Sequence, residues 1–430
     1  MIRIAEIQDK LLHLVGWKQS YNTSDLKISE DLTKSESGLY FQQVHPLITL
    51  ENLACIAPDF KNVEYPNAEE KEYSEGSIVT FNGKLYKATT DTTFTGEITD
   101  DWIETNPFSE WLESKTRASI AKAITRYISE GTVKGVVKNL LENRALYDGT
   151  GRIVDTIANK RNLVGFEVIP IRSKGITVKI NRICLQFTKP GDYTVYIMHS
   201  ESSEPIYTLT LTKIKANTAE WFDVENIYLT YEGPTGYGGS WYICYMQSDL
   251  PEGSHAIRKN RDWSKGPCTS CSRREYEAWM TWSKYIEVHP FFVNEEFVPI
   301  NETVELWDVE SNQYKYDTNY GLNLDITISC DITNFIISQK PLFQDIIMKQ
   351  LGVDILREFA YNPNVRTNRH SINAARTEIL YEIDGDSSSM KKSGLSYQLE
   401  LALKAVVLDT QGIDRVCQPC INHGIKYRTI

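Results

Sequence analysis

The chain has 430 residues, of which 24 % are charged and 41 % hydrophobic, and its formal net charge is −11. Because one hydrophobic core rarely grows beyond about 250–300 residues, this length predicts several domains. The acidic balance argues against sequence recognition of nucleic acid, which needs a concentrated basic face. Glu6, Asp9 and Lys10 interrupt the N-terminal stretch, and no uncharged apolar run approaches the roughly 20 residues that span a bilayer, so neither export nor membrane insertion is expected.

Residues 1–65 are predicted to form an N-terminal arm or helical segment. Ile2–Val15 has the spacing of a short amphipathic helix, while His45-Pro46 and Pro58 interrupt the apolar stretches that follow. A segment of this kind can bury its apolar side chains on a neighbouring molecule. The charged run Tyr65–Gly76 is expected to be a linker.

A small β module is predicted at residues 76–106. Apolar and polar residues alternate over Ile78–Phe81, and Asn82-Gly83 follows where a type I′ hairpin turn favours residues with positive φ. This pattern, which ends in Asp101-Trp102, is similar to the small chitin-binding-type carbohydrate modules. The resemblance implies a module of the kind that is appended to enzymes and phage tail proteins.

The aromatic residues of this module have two alternative roles. Phe81, Tyr86 and Trp102 could form a face that stacks on sugars or contacts a protein partner. The same rings could serve as the core of so small a module. For Trp102 the core is the favoured interpretation.

Residues 107–150 are predicted to be helical. Apolar residues recur at helical spacing before and after Gly131, which predicts two helices between Pro107 and Gly149. Proline is favoured in the first turn of a helix and glycine after its last turn, so these two residues mark the expected ends.

An antiparallel β-sandwich is predicted at residues 160–250. Five runs alternate β-branched or aromatic residues with polar ones, and turn-rich pieces separate them. The first is ITVKINRICLQF, Ile176–Phe187, and the last is GSWYICYMQSDL, Gly239–Leu250.

Residues 251–430 are predicted to form an α+β C-terminal domain. Apolar residues at i, i+3 and i+4 predict a helix over Pro341–Asn362. Leu322–Ile337 is expected to be a strand, alone or followed by a helix. Ser393–Ile413 is expected to be a helix or a long strand.

Two Cys-x-x-Cys pairs give the strongest chemical signal in the chain. Cys268 and Cys271 form one pair, and Cys417 and Cys420 form the other. Two residues between thiols let both sulfurs approach one Zn²⁺, and two such pairs complete a closed, structural tetrahedral site. We therefore predict a structural Zn²⁺ that staples the end of the chain to its middle. Disulfide bonds, or two unrelated pairs of thiols, are the alternatives.

The other cysteines and the absence of enzyme motifs predict no catalytic chemistry. Cys55, Cys184, Cys244 and Cys330 lie in apolar or alternating stretches and are expected to be core thiols. No His-Glu-x-x-His, Gly-x-Ser-x-Gly or Walker motif occurs, so no enzymatic activity and no catalytic residue are predicted.

Three stretches resemble a known family. They are SESGLYFQQVHPLITLENLACIAP from Ser35, PCTSCSRREYEAWMTWSKYIEVHPFFV from Pro267 and LDTQGIDRVCQPCINHGIKYRTI from Leu408. Here the chain resembles virion structural proteins of the crAss-like phages that infect gut Bacteroidetes. The resemblance implies a component of the tail or head-tail apparatus, among the proteins that form rings around the tail barrel and anchor fibres or spikes.

The combined prediction is a multidomain, β-rich α+β protein. In it an antiparallel β-sandwich and a small chitin-binding-like β module accompany helical segments and a zinc-stapled C-terminal domain. The expected partners are neighbouring subunits of a cyclic homo-oligomer, portal-proximal or tail hub proteins, and fibres or spikes. The expected location is the virion tail, after assembly in the host cytoplasm.

Two other functions are open. The main alternative is a glycan-binding adhesin, in which the module around Tyr86 and Trp102 contacts host surface polysaccharide. A cell-wall hydrolase or depolymerase would instead need two carboxylates that face each other across a cleft. Buried rings in the small module would favour the structural role, and a row of exposed rings would favour the adhesin.

Overall fold

The computed structural model describes most of the chain. The described residues are 2–19, 28–57, 71–81, 84–94, 97–130, 136–147, 155–171, 174–202, 204–233, 238–259, 263–264, 266, 273–294, 297, 311–361, 369–385 and 393–417. The chain divides into two compact units, each assembled from distant segments. The sheet unit comprises Met1–Ile2, Gly135–Ile332 and Thr410–Ile430, and the helical unit comprises Arg3–Lys134 and Thr333–Asp409.

The described residues form a β-rich α+β protein. Its helices are α1 Ile4–Leu11, α2 Glu30–Thr33, α3 Leu50–Ile56, α4 Pro107–Glu130, α5 Arg273–Trp282, α6 Thr333–Ser338, α7 Gln344–Tyr361, α8 Arg369–Asp384 and α9 Leu395–Ala405. Its strands are β1 Lys71–Tyr73, β2 Ile78–Phe81, β3 Lys84–Ala88, β4 Thr92–Phe94, β5 Trp102–Thr105, β6 Asn139–Ala145, β7 Asp155–Ile157, β8 Leu163–Pro170, β9 Ile176–Phe187, β10 Gly191–His199, β11 Tyr207–Lys213, β12 Thr218–Thr230, β13 Trp241–Met246, β14 Ala256–Arg258, β15 Ile286–Val293, β16 Gln313–Tyr314 and β17 Leu322–Cys330.

The helical unit is built around α7. The apolar stripe of α7 is buried, as its helical spacing predicts. Helix α4 packs on it, with Lys115 Nζ 2.7 Å from Glu358 Oε2. The ring of Tyr127 on α4 lies 5.1 Å from that of Phe343, just before α7. The predicted helix over Pro341–Asn362 is confirmed.

The N-terminal segment buries its apolar side chains within its own chain. Ile7 and Leu11 of α1 are buried, and α1 packs on α4. Trp17 is also buried, and its Nε1 donates to Thr116 Oγ1 at 3.2 Å. The described part of this segment therefore belongs to the core of the helical unit.

The predicted second helix of residues 107–150 is wrong. Helix α4 ends at Glu130. Leu140 and Leu141, which belong to the apolar residues after Gly131, lie in strand β6. Strand β6 pairs antiparallel with β17, with Ala145 opposite Asp325. Pairing with a strand almost two hundred residues later in the chain overrides the local helical spacing.

Two antiparallel sheets form most of the sheet unit. One has the strand order β11-β10-β13-β8-β15-β16. The other has the order β6-β17-β9-β14-β7, and β12 also pairs with β9. The five alternating runs predicted as strands at residues 160–250 are confirmed as β9, β10, β11, β12 and β13.

Aromatic side chains pack between these sheets. The ring of Phe187 on β9 lies 4.4 Å from that of Tyr193 on β10 and 5.3 Å from that of Tyr245 on β13. The opposite face of β13 is buried too, because Tyr242, Cys244 and Met246 join a second cluster with neighbouring strands. Strand β13 is therefore apolar along its whole length, as expected for a strand covered on both faces.

Gly165 lets strand β8 approach β13 closely. A Cβ atom at this position would lie 2.1 Å from the carbonyl oxygen of Ile243 and 2.6 Å from Cα of Cys244. Both neighbours are backbone atoms of a central strand, so they cannot move without disturbing the sheet.

Candidate functional site

The small β module has the predicted hairpin. Strands β2, β3 and β5 form a three-stranded sheet, and β1 pairs with β4. Phe81 lies opposite Lys84 in the β2–β3 pair, which leaves two residues for the turn. The turn residues themselves, 82 and 83, lie outside the described part of the chain.

The aromatic rings of the module face its own core. Trp102 is only 5 % exposed, and its ring makes edge-to-face contacts with Tyr73 at 5.5 Å and Phe94 at 5.9 Å. Phe81 and Tyr86 are half-buried and pack against the same cluster. The structure thus brings the three predicted contact residues together, but as a core and not as a row of exposed rings.

The cysteines predicted to bind zinc are only partly described. Cys268, Cys271 and Cys420 lie outside the described residues. Cys417 is buried in a disulfide bond with Cys330, which is 87 positions away in sequence. Zinc binds thiolates, so this bond occupies a sulfur that the predicted site requires. In the described part of the chain no group of three or more His, Cys, Asp or Glu side chains could hold a metal ion.

The remaining cysteines divide into buried and exposed thiols. Cys184 and Cys244 are buried, as predicted, and burial raises the pKa of the Cys184 thiol to about 12 and that of Cys244 further. Both are protonated at neutral pH and unreactive. Cys55 was predicted to be a core thiol, but it is exposed, because it lies on the outer side of α3.

His199, the last residue of β10, is a buried imidazole under a glycine-containing turn. Its ring packs edge-to-face on Trp241 at 4.8 Å, and its Nδ1 accepts the backbone N–H of Glu201 at 3.2 Å. A Cβ atom would lie 2.4 Å from Nε2 at Gly233 and 2.8 Å from Cε1 at Gly239. Burial lowers the pKa of His199 to about 4, so the ring is neutral at pH 7.

Both sheets of the sheet unit line a cleft of about 180 Å³. Strands β7 and β14 line it from one sheet, and β8 and β15 from the other. Val164 and Phe292, opposite each other in the β8–β15 pair, give it an apolar wall. Tyr320, which precedes β17, completes this wall.

Three cationic side chains line the same cleft, namely Lys160, Arg258 and Lys315. The guanidinium of Arg258 lies between two carboxylates, with Nη2 3.3 Å from Asp155 Oδ2 and Nη1 3.2 Å from Asp317 Oδ2. Its Nε is buried and has no hydrogen-bond partner among the described residues.

Gln247 fixes the loop that carries Lys160. Its side chain is buried at 3 % exposure, and its Oε1 accepts the backbone N–H groups of Lys160 at 3.0 Å and Asn162 at 3.3 Å. Its backbone carbonyl accepts Nδ2 of Asn159 at 2.6 Å. These bonds hold the loop in one conformation beside the cleft.

No local pattern in the sequence indicates this cleft. Its lining residues come from segments between Asp155 and Tyr320 and share no motif spacing. Only the pairing of β7 with β14 and of β8 with β15 brings them together.

Comparison with models of protein families, with curated proteins and with solved structures found no match to the chain. No helix in the described part of the chain combines the length and the apolar character needed to cross a membrane.

Proposed function

We propose that the protein is a non-enzymatic structural component of a phage tail. In this role it is a subunit of a cyclic homo-oligomeric ring around the tail barrel, and its β-sandwich and small β module are docking surfaces for fibres or other tail proteins. The observation that carries the proposal is the burial of Trp102, with Phe81 and Tyr86 packed around it. Rings that form a core leave the module's polar strand surfaces for contact with a partner.

The architecture also supports this role. The Cys330–Cys417 disulfide ties the end of β17 to the C-terminal region. Closing a long loop stabilises a fold mainly by restricting the unfolded chain, which suits a particle that persists outside the cell.

The proposal keeps a structural Zn²⁺ at Cys268, Cys271, Cys417 and Cys420. Four thiolates would hold the ion in a closed site that stabilises the fold and performs no chemistry. This requires a thiol reductant to open the bond between Cys330 and Cys417 by a two-electron reduction, so the zinc site belongs to the reduced chain and the disulfide to the oxidised chain.

Particle association tests the proposal. Purified virions should contain the chain in a constant ratio to the portal protein, with a copy number that fits a closed ring. Density-gradient centrifugation followed by quantitative mass spectrometry measures both. A chain that stays in the soluble fraction of the lysate, as a monomer, would contradict the proposal.

One observation favours the adhesin as a second candidate, at a different surface. Tyr314 on β16 is 43 % exposed, and its ring stacks with that of Tyr316 at 6.3 Å with planes 18° apart. Exposed aromatic faces of this kind can stack on sugars. Binding of polysaccharide that is lost in Tyr314→Ala, while the particle still assembles, would support this candidate.

A further inference from the structure

The cleft of the sheet unit concentrates positive charge in an acidic chain. Lys160, Arg258 and Lys315 line it, and Asp155 and Asp317 are the carboxylates bound to Arg258, which leaves a local excess of one positive charge. The whole chain carries −11. A cleft whose sign is opposite to that of the surrounding protein attracts anions and repels cations.

The three cationic side chains differ in how far neighbouring carboxylates already neutralise their charge. Arg258 is held by two carboxylates, and Lys315 Nζ lies 4.0 Å from Asp317 Oδ1. Lys160 is exposed and forms no ion pair with any residue that the structure describes. Among the described residues that line the cleft, Lys160 is therefore the cation with most charge to offer a ligand.

The cleft is prepared before any ligand arrives. Gln247 fixes the backbone of the loop that carries Lys160 through three hydrogen bonds, so little backbone freedom remains to be lost on binding. Asp155 and Asp317 likewise hold the Arg258 guanidinium in place. Preorganised polar groups around a concave surface are typical of binding sites for small molecules.

Size and lining limit the ligand further. A volume of about 180 Å³ is enough for one ring-sized molecule, since a cavity of about 150 Å³ binds benzene. Phe292 and Tyr320 supply an apolar wall, while Thr156 and Asn162 supply groups that hydrogen-bond to hydroxyls. A ring with one apolar face, several hydroxyls and one negative charge satisfies all of these groups.

We propose that the cleft binds a small organic anion, a single hydroxylated ring that carries one carboxylate. The carboxylate pairs with Lys160, and the guanidinium of Arg258 lines the same cleft. The ring lies against Phe292 and Tyr320. This site is separate from the aromatic cluster of the small module and does not depend on the role of the chain in a tail.

Glucuronate and glucose form a matched pair of probes, because they share the ring and differ in the carboxylate. Titration of the full chain at low salt, followed by calorimetry or by ligand-observed NMR, should show binding of glucuronate that weakens as salt is added. Glucose should bind at least about tenfold more weakly, since a hydrogen bond to a charged group is lost. Acetate and inorganic phosphate test whether charge alone is enough for binding.

Lys160→Gln removes the charge and keeps an unbranched polar side chain that is one atom shorter. This variant should bind glucuronate about tenfold more weakly while its affinity for glucose stays unchanged. Lys215→Gln is the matched control, because Lys215 is an exposed lysine in the β11–β12 turn, outside the cleft. A circular dichroism spectrum and melting temperature equal to those of the wild type show that each variant is folded.

Three results would overturn the proposal. They are equal binding of glucose and glucuronate, unchanged binding of glucuronate by Lys160→Gln, and no binding of glucuronate by the wild-type chain. Binding of acetate or phosphate as tight as that of glucuronate would remove the role of the ring, and the assignment of the ligand class would be wrong. Loss of glucuronate binding in Lys160→Gln, with binding kept in Lys215→Gln, supports the proposed site.

Discussion

Replacing Trp102 with alanine should unfold the small β module. The side chain is 5 % exposed and contacts the rings of Tyr73 and Phe94. Truncation of a buried tryptophan costs about 3–5 kcal/mol. A core as small as this one rarely supplies more than about 3–5 kcal/mol of stability. The cost of removing the Trp102 ring is therefore as large as the whole stability of the module.

Hydrogen exchange of the full chain measures this effect locally. In Trp102→Ala the amides of β2 and β3 should lose protection, while those of α7 keep theirs, because α7 has its own buried stripe. Ile103→Ala is the control, since Ile103 is the next residue of β5 and is 52 % exposed. It should change stability by no more than about 0.5 kcal/mol.

A Trp102→Ala variant whose small β module stays folded would refute the core role of Trp102. If the exchange of β2 and β3 is unchanged and polysaccharide binding is lost, the ring is a contact residue and not a core residue. That result would move the adhesin from alternative to first candidate.

Three further predictions concern the sheet unit. As pH falls from about 6.5 to about 4, the unfolded chain protonates His199 but the folded chain does not, so stability falls by up to about 3 kcal/mol and levels off below the folded pKa of about 4. Urea denaturation should show this as a pH-dependent difference between the wild type and His199→Gln; a constant difference contradicts it. Gly165→Ala should lower the free energy of unfolding by about 1–3 kcal/mol in the same assay, because the added Cβ would overlap the backbone of β13. An unchanged free energy of unfolding would contradict the close approach of β8 to β13. Non-reducing peptide mapping should recover Cys330 linked to Cys417, and reduced protein supplied with Zn²⁺ should hold one ion per chain by elemental analysis. Cys417→Ser should abolish zinc binding and Cys330→Ser should retain it, whereas equal zinc content in both variants would exclude the predicted ligand set.

Local patterns predicted much of the fold for identifiable reasons. The alternation in Ile176–Phe187 predicted β9, because side chains of a strand point alternately to two faces. The apolar spacing of Pro341–Asn362 predicted α7 for the corresponding reason in a helix. The Asn-Gly pair predicted the β2–β3 hairpin, since two-residue turns favour these residues.

Patterns failed where a distant partner decided the outcome. The spacing after Gly131 favours a helix, but pairing with β17 makes Asn139–Ala145 a strand. Cys417 was predicted to bind zinc together with Cys420 and the distant pair Cys268 and Cys271. The structure joins it instead to Cys330, which was expected to be a core thiol. The spacing of residues around β6 and around Cys417 does not indicate that their partners are β17 and Cys330.

The sequence by itself therefore determined the strands between Ile176 and Met246, helix α7 and the β2–β3 hairpin, and it indicated that Trp102 belongs to a core. Only the tertiary structure decided what each apolar face meets, which sulfurs bond, and that Lys160, Arg258 and Lys315 line one cleft. The physical reason is that periodicity records the chemistry of one element, whereas a site arises from packing between elements that are far apart in the chain.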